Sequence, residues 1–246
     1  ISFVISDKIL LIDKPAGWTS FDVVAKIRGK IRASYKKQGI LPTKKQLRVG
    51  HAGTLDPFAT GLLIVLLGDA CKRAGEFLKL DKVYEATVEL GKTSTTGDPE
   101  GEIKAWAEPQ EDSEGGSTKP AVPVTIPTKE AVLEALEGLT GQIMQKPPVY
   151  SAIKVGGRRA YDLARAGQTV DIPERSVTIH SLELISYEWP LVRIRTHVSS
   201  GTYIRTLAED IGRSLGTGAY CQVLRRTQIA QWSVDDARTV DNVDLG

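Results

Sequence analysis

Leu62-Leu63-Ile64-Val65-Leu66-Leu67 is an unbroken apolar run, with no polar position in six residues. It is too short to cross a bilayer and fits a strand buried on both faces. A strand of that kind requires a real core, and 246 residues are enough for one large domain or two small ones. Apolar residues at 41% and charged residues at 25% exclude a disordered, collagenous or coiled-coil chain. Two cysteines, Cys71 and Cys221, make no disulfide framework, and no CxxC pair or histidine cluster suggests zinc. The reading is therefore a reducing, cytoplasmic compartment, no metal and no membrane, in a chain that opens on Ile1 rather than Met.

Other segments divide into strands and helices. Ile9–Ile12 reads as a short strand stopped by the turn composition of Asp13-Lys14-Pro15-Ala16-Gly17. Thr19 or Ser20 caps a helix whose inward positions are expected at Phe21, Val24, Ile27 and Ile31, and residues 34–48 are expected to be a Lys-rich loop. Asp69 is expected to cap the helix after the apolar run. Lys82–Leu90 alternates as a half-buried strand, and strands are expected at 177–185 and 191–198. A helix from Thr128 to Leu139 would turn Leu133, Leu136 and Leu139 inward. A last helix opens at Thr202, with Ile204, Leu207, Ile211 and Leu215 facing the core. Residues 107–127 are acidic and rich in Gly and Pro, and read as a mobile surface loop or an interdomain linker. Strands and helices mix without a regular βαβ repeat, which predicts an α+β fold with a mixed sheet.

Net charge is only +2, but its distribution is uneven. From Asp22 to Asp56 no acid occurs, while Lys26, Arg28, Lys30, Arg32, Lys36, Lys37, Lys44, Lys45 and Arg48 do. A second basic set is Lys146, Lys154, Arg158, Arg159 and Arg165. Either patch alone reads equally well as a solvated face; two patches point to nucleic acid. Gly50-His-Ala-Gly-Thr-Leu-Asp-Pro-Phe-Ala-Thr-Gly61 is a tight loop by composition, and Asp56 is the first carboxylate after the basic run. An acid where a phosphate backbone would approach is unfavourable unless it has a task. Taken alone, it would be an Asp-Pro turn residue.

Five segments in order resemble the TruB family of pseudouridine synthases. They are Leu11–Gly17, Gly50–Gly61, Lys82–Gly91, Pro147–Lys154, and Ser200-Gly-Thr-Tyr-Ile-Arg205 followed by Leu224-Arg-Arg226. The resemblance implies the pseudouridine synthase fold, with a mixed, mostly antiparallel sheet flanked by helices. It implies isomerisation of the T-loop uridine of tRNA, position 55, without cofactor. It makes Asp56 the catalytic aspartate and Tyr84 the residue that stacks on the flipped uracil and is a candidate to accept the C5 proton. Arg205 would pair with Asp56, Tyr203 would support that pair, and Leu224 would line the pocket. His51 would help displace the target base, and Lys14 would support the pocket. Lys36, Lys37, Lys44, Lys45, Lys154, Arg158 and Arg159 would contact tRNA phosphates.

The organisation expected is a single catalytic domain over 1–246 with a thumb insertion at about 143–175 and mobile loops at about 34–48 and 107–127. No C-terminal PUA domain is expected, and the partner would be the T-arm of tRNA, bound by a monomer with no obligatory protein partner. Two rival readings are an RNA-folding protein in which isomerisation is secondary, and a paired-carboxylate glycosidase. The second is weak because no other acid stands in a comparable motif.

Overall fold

The computed structural model describes residues 8–106, 124–151, 153–168 and 170–243. In chain order the elements are β1 (Ile9–Lys14), α1 (Ser20–Lys37), β2 (Val49–Ala52), β3 (Thr60–Leu67), α2 (Ala74–Leu78), β4 (Lys82–Leu90), β5 (Lys92–Ser94), β6 (Ile103–Ala105), α3 (Lys129–Gly138) and β7 (Gly141–Gln145). They continue as β8 (Lys154–Val155), β9 (Arg158–Arg159), α4 (Ala160–Arg165), β10 (Arg175–Glu188), β11 (Leu191–Val198), α5 (Ile204–Ser214), β12 (Ala219–Ile229), β13 (Trp232–Ser233) and β14 (Arg238–Thr239). The chain forms two compact units, Ile1–Glu85 with Leu224–Gly246, and Ala86–Val223, and passes from one to the other within β4 and within β12.

The first unit is organised by β3, whose residues from Gly61 to Leu67 are all buried. One edge of β3 pairs antiparallel with β1, from Ile9 opposite Leu66 to Lys14 opposite Gly61. The other edge takes β2 antiparallel and then β12 parallel, with Arg226 opposite Gly61. Alternation along β3 feeds two cores. Leu63, Val65 and Leu67 pack with Ile12 and with Val23, Val24, Ile27, Ile31 and Tyr35 of α1. Leu62, Ile64 and Leu66 pack with Ala52, Phe77 and Ile229 on the opposite face. Each such side chain contributes about 1.5–3 kcal/mol of burial, which is why a continuous apolar run is stable only here.

Thr19 is the N-cap of α1, and with Asp22 it makes a reciprocal capping box. The helix ends on Lys36 and Lys37, cations that suit the carbonyl end of its dipole, and so it continues past residue 34, where a loop was expected. Phe21, expected inward, is 61% exposed. The buried stripe instead runs through Val23, Val24, Ile27, Ile31 and Tyr35. Asp69 caps no helix: a short 3-10 turn follows β3, and its N-cap, Leu67, makes no side-chain cap bond. The Asp69 carboxylate instead pairs with Lys45 at 2.8 Å, Lys72 at 3.1 Å and Arg48 at 3.3 Å.

The second unit pairs β10 antiparallel with both β11 and β7. Val177, Ile179, Val192, Ile194 and Val198 are buried on these strands, and Val132, Ala135 and Leu136 are buried on α3. Leu133 is 46% exposed, one helical position off the expected inward face. Ile204, Leu207 and Ile211 are buried on α5 as their spacing predicts, together with Ala208, whereas Leu215, also expected inward, is the half-buried C-cap; the helix proper starts at Ile204 with Tyr203 as its N-cap. A hairpin, β8–β9, leads into α4, and Ala160, Val170 and Ile172 form a small separate core there. Most of the expected loop at 107–127 lies outside the described residues.

Gly61 tests the register of the first unit. Its φ is +104°, and a Cβ there would lie 2.2 Å from the Arg226 carbonyl oxygen. Gly61→Ala is expected to destabilise the protein by on the order of 2–4 kcal/mol, combining backbone strain with a clash that rigid backbone cannot relieve. Urea denaturation of the variant measures it, and a loss below about 0.5 kcal/mol would contradict the register.

Candidate active site

The Gly50–Gly61 segment enters as β2, leaves as β3, and has its turn fixed from outside. Every carbonyl from Gly53 to Pro57 accepts a hydrogen bond. Arg226 donates from Nη2 to Gly53 at 3.1 Å and from Nη1 to Thr54 at 3.4 Å, while its Nε holds Leu62 at 2.7 Å. Ser20 Oγ donates to the Leu55 carbonyl at 3.2 Å and accepts from the Leu55 N–H at 2.9 Å. The Ala59 N–H reaches the Asp56 carbonyl at 3.1 Å. Pro57 takes the Gly17 N–H at 2.8 Å and Lys14 Nζ at 3.3 Å, and Lys14 also donates to Trp18 and Pro15.

Arg226 is 1% exposed and Lys14 fully buried. Burying a cation is costly unless its N–H groups are satisfied, and here main-chain oxygens accept them. The result is a rigid backbone on both sides of Asp56, which is itself half-buried. Tyr84 and Leu224 are buried in the same unit, where Thr227 Oγ1 donates to the Val83 carbonyl at 3.3 Å. Lys82 Nζ donates to Leu78 at 2.8 Å and Leu80 at 2.5 Å. Burial, with Arg226 beside it, pushes its ammonium down to about 8 against the opposing pull of Asp81. The ring of His51 meets Phe21 edge to face, with centroids 5.4 Å apart and planes at 89°.

The second unit holds Arg205, Tyr203, Lys154, Arg158 and Arg159. Arg205 is 4% exposed; its Nη1 pairs with Asp98 Oδ2 at 3.1 Å and donates to Thr96 at 2.7 Å, and its Nη2 donates to the Tyr150 carbonyl at 2.8 Å. Asp98 is equally buried, and its Oδ1 accepts from Thr96 Oγ1 at 2.6 Å and from the Glu100 N–H at 3.0 Å. A buried ion pair is tolerable only when the remaining donors and acceptors are met, as they are here for the carboxylate. Gln145 brackets Tyr203, accepting from its N–H at 2.8 Å and donating to its carbonyl at 3.1 Å, while the Arg175 guanidinium lies 5.1 Å from the Tyr203 ring centre. Gly97 lies between Arg205 and Glu209: at φ +73°, a Cβ would sit 2.6 Å from Glu209 Oε1.

Of the expected RNA contacts, Lys36, Lys37 and Lys44 are exposed, and Lys45 is exposed but paired with Asp69. Arg158 is exposed at the β8–β9 turn, and Lys154 and Arg159 are backbone partners in that hairpin's register. Asp98, Gln145 and Arg226 are site residues that sequence reasoning missed. Asp98 sat in Gly97-Asp98-Pro99, a turn by composition, and only its distance from Arg205 in space, not in sequence, gives it a role. Arg226 belonged to a quoted motif, but nothing in the string shows that it is buried. His180 and His197 lie on β10 and β11 with ring centroids 4.6 Å apart and planes tilted by 42°, a histidine pair that their sequence spacing concealed.

A solved Cbf5-Nop10-Gar1 complex contains a chain that matches this one with a TM-score of 0.67 at 26% identity, over 97% of this chain and 55% of that one. The fold is therefore that of the pseudouridine synthases, α+β with a large mixed sheet, as the resemblance implied. The model of the TruB family pseudouridylate synthase N-terminal domain matches residues 39–204, and that of the tRNA pseudouridylate synthase B C-terminal domain matches residues 205–245. A tRNA pseudouridine synthase B of Parabacteroides distasonis is 42% identical over 240 residues, 98% of this chain and 93% of that protein. The one from Aromatoleum aromaticum is 44% identical over 236 residues, 96% of this chain and 67% of that protein. The chain belongs to the TruB family of pseudouridylate synthases and is an isomerase.

Glu209 lines a hollow of about 470 Å³ with Thr96, Lys146, Tyr150, Asp210 and Arg213. Burial raises its carboxyl to about 7, and Asp210 and Asp98 push the same way against Arg205 and Arg213. A carboxyl raised on folding gives stability that is full below its unfolded value of 4.5 and is lost as pH climbs through about 7. Glu209→Gln is expected to flatten the fall in stability between pH 5 and pH 8, read from urea midpoints at both values. An unchanged fall would place the responsible proton elsewhere.

Proposed function

We propose that this tRNA pseudouridine synthase isomerises the T-loop uridine at position 55, with Asp56 as the catalytic carboxylate. The observation that carries the reading is the Gly53–Pro57 turn, where every carbonyl is held around the one acid in the motif, the half-buried Asp56. Such a turn prepays the cost of positioning a reactive group. The reaction breaks the N1–C1′ bond, rotates the uracil, forms C5–C1′, releases the C5 proton and takes up a proton on N1. No electrons are gained or lost, so the protein's task is to supply a nucleophile or base, a dry site and a proton acceptor.

In this reading Arg205 stands beside Asp56 and keeps it ionised despite desolvation. Its rigid setting by Asp98, Thr96 and Tyr150 supports that role, because a fixed guanidinium needs no reorganisation during the reaction. Tyr84 stacks on the extruded uracil and accepts the C5 proton, Leu224 packs beside it, and Tyr203 supports the Asp56–Arg205 pair. His51 takes the space the base leaves, and Lys14 holds the Pro57 end of the turn. Extruding a base costs a few kcal/mol, offset by stacking and by phosphate contacts. Lys36, Lys37, Lys44, Lys45, Lys154, Arg158 and Arg159 supply those contacts, which position the RNA without reading its sequence.

The enzyme acts as a single catalytic domain with its thumb at about 143–175, as a cytoplasmic monomer on the T-arm of tRNA. Cys71 and Cys221 outside any disulfide suit that compartment, and no described helix is long and apolar enough to cross a membrane. A purely RNA-folding role gives Asp56 no task, since a carboxylate facing phosphates only repels them.

Tritium release from tRNA labelled at uracil C5 tests the assignment. Asp56→Ala and Asp56→Asn are expected to lower the rate by on the order of 10³-fold or more while tRNA binding persists. Full activity in Asp56→Asn would refute the role. Replacing Lys36, Lys37, Lys44 and Lys45 by Gln is expected to weaken tRNA binding and to reduce the slope of log K against log[salt] by roughly 2–3. An unchanged slope would make that surface a bystander.

A further inference from the structure

We infer that Phe21 and His51 form a stacking platform for an unpaired base of the RNA substrate, with Arg28 and Arg32 placed to follow the phosphates beyond it. The inference rests on the tRNA synthase reading and adds a binding surface to it. A solitary exposed phenylalanine would call for no explanation. This one is distinguished by its neighbours.

Ser20, the residue before Phe21, is bonded through its side chain to both backbone groups of Leu55, the residue before Asp56. The first turn of α1 and the turn bearing Asp56 are therefore stitched together one residue short of each side chain. Phe21 is 61% exposed and its ring meets His51 edge to face. A T-shaped contact uses the edge of one ring and one face of the other, so aromatic surface remains open for a base. Every base offers a π-face, and aromatic platforms accept unpaired bases without regard to sequence.

The chemistry around the ring selects a nucleotide over an apolar protein surface. Phe21, Ala25, Arg28 and Arg32 recur at helical spacing along one side of α1, and the acid in that stretch, Asp22, accepts from the Thr19 N–H and hydroxyl at the helix start. Arg28 is half-buried and braced by the Leu47 and Val49 carbonyls at 3.2 Å and 3.1 Å, which fixes it next to the strand that carries His51. Arg32 is exposed one turn further on. An aromatic head followed by guanidinium groups is how single-stranded nucleic acid is bound, with rings for bases and cations for the backbone. An apolar protein partner would have to bury those charges unpaired.

The test uses the full chain and a T-arm stem-loop RNA with 2-aminopurine at loop positions in turn. In an Asp56→Asn background, so that no turnover intervenes, Phe21→Ala is expected to weaken binding by about 5- to 50-fold and to abolish fluorescence quenching at one loop position. Phe21→Trp is expected to restore both, and Phe21→Leu to restore neither. Binding by Phe21→Ala within twofold of the parent, or equal recovery by Leu and Trp, would overturn the inference while leaving the role of Asp56 untouched. Conversely, an active Asp56→Asn enzyme would refute the catalytic reading, and the quenching pattern would still decide the fate of the platform. Circular dichroism melts show whether each variant keeps its fold.

Discussion

A guanidinium sealed from water, with all three of its hydrogen bonds ending on carbonyl oxygens, determines the rest of the first unit. Arg226 can be there only because β12 lies parallel to β3 with Gly61 directly opposite, where any side chain would strike the Arg226 main chain. From that position it binds one carbonyl of β3 and two of the turn that follows β2. Withdrawing it would take a donor from the buried Leu62 oxygen, a loss of about 1–3 kcal/mol, and two more from the turn. Lys14 performs the same service at the far end of the turn. Two cations thus do for a loop what a ladder of backbone pairs does for a strand.

The second unit meets the burial of charge differently. Arg205 is paired with a carboxylate that is itself fully engaged, and Glu209 crowds the same neighbourhood through the space that Gly97 leaves. Removing one partner from such a buried pair typically costs 3–5 kcal/mol, because the survivor keeps its desolvation penalty. The arrangement therefore favours fixed geometry over raw stability. A guanidinium caught by one acid and two carbonyls has few rotamers left, which suits a group whose value lies in where it points.

Much of this was legible in the chain. The strands Lys82–Leu90 and Leu191–Val198 showed themselves because alternation of period two survives wherever one face is dry. The run through Leu62–Leu67 announced a strand covered twice over, and its odd and even residues do divide between two cores. Phe21 and Leu133 were misplaced because a helical stripe can be drawn through either of two adjacent sets of positions, and an aromatic or leucine side chain biases the choice inward. Asp98 could not be found at all: 107 residues separate it from Arg205, and no spacing rule links a turn aspartate to a distant helix. Arg226 was visible as a letter but not as a buried one, since burial there follows from strand order.

Asp69 shows that the basic stretch of the sequence is not as bare as counting charges suggests. Its one carboxylate is shared among Lys45, Arg48 and Lys72, so part of the positive surface is already occupied from within. An arriving phosphate must compete with a tethered rival whose local concentration never falls. Three cations held by one internal carboxylate therefore offer an outside anion less net charge than their number suggests.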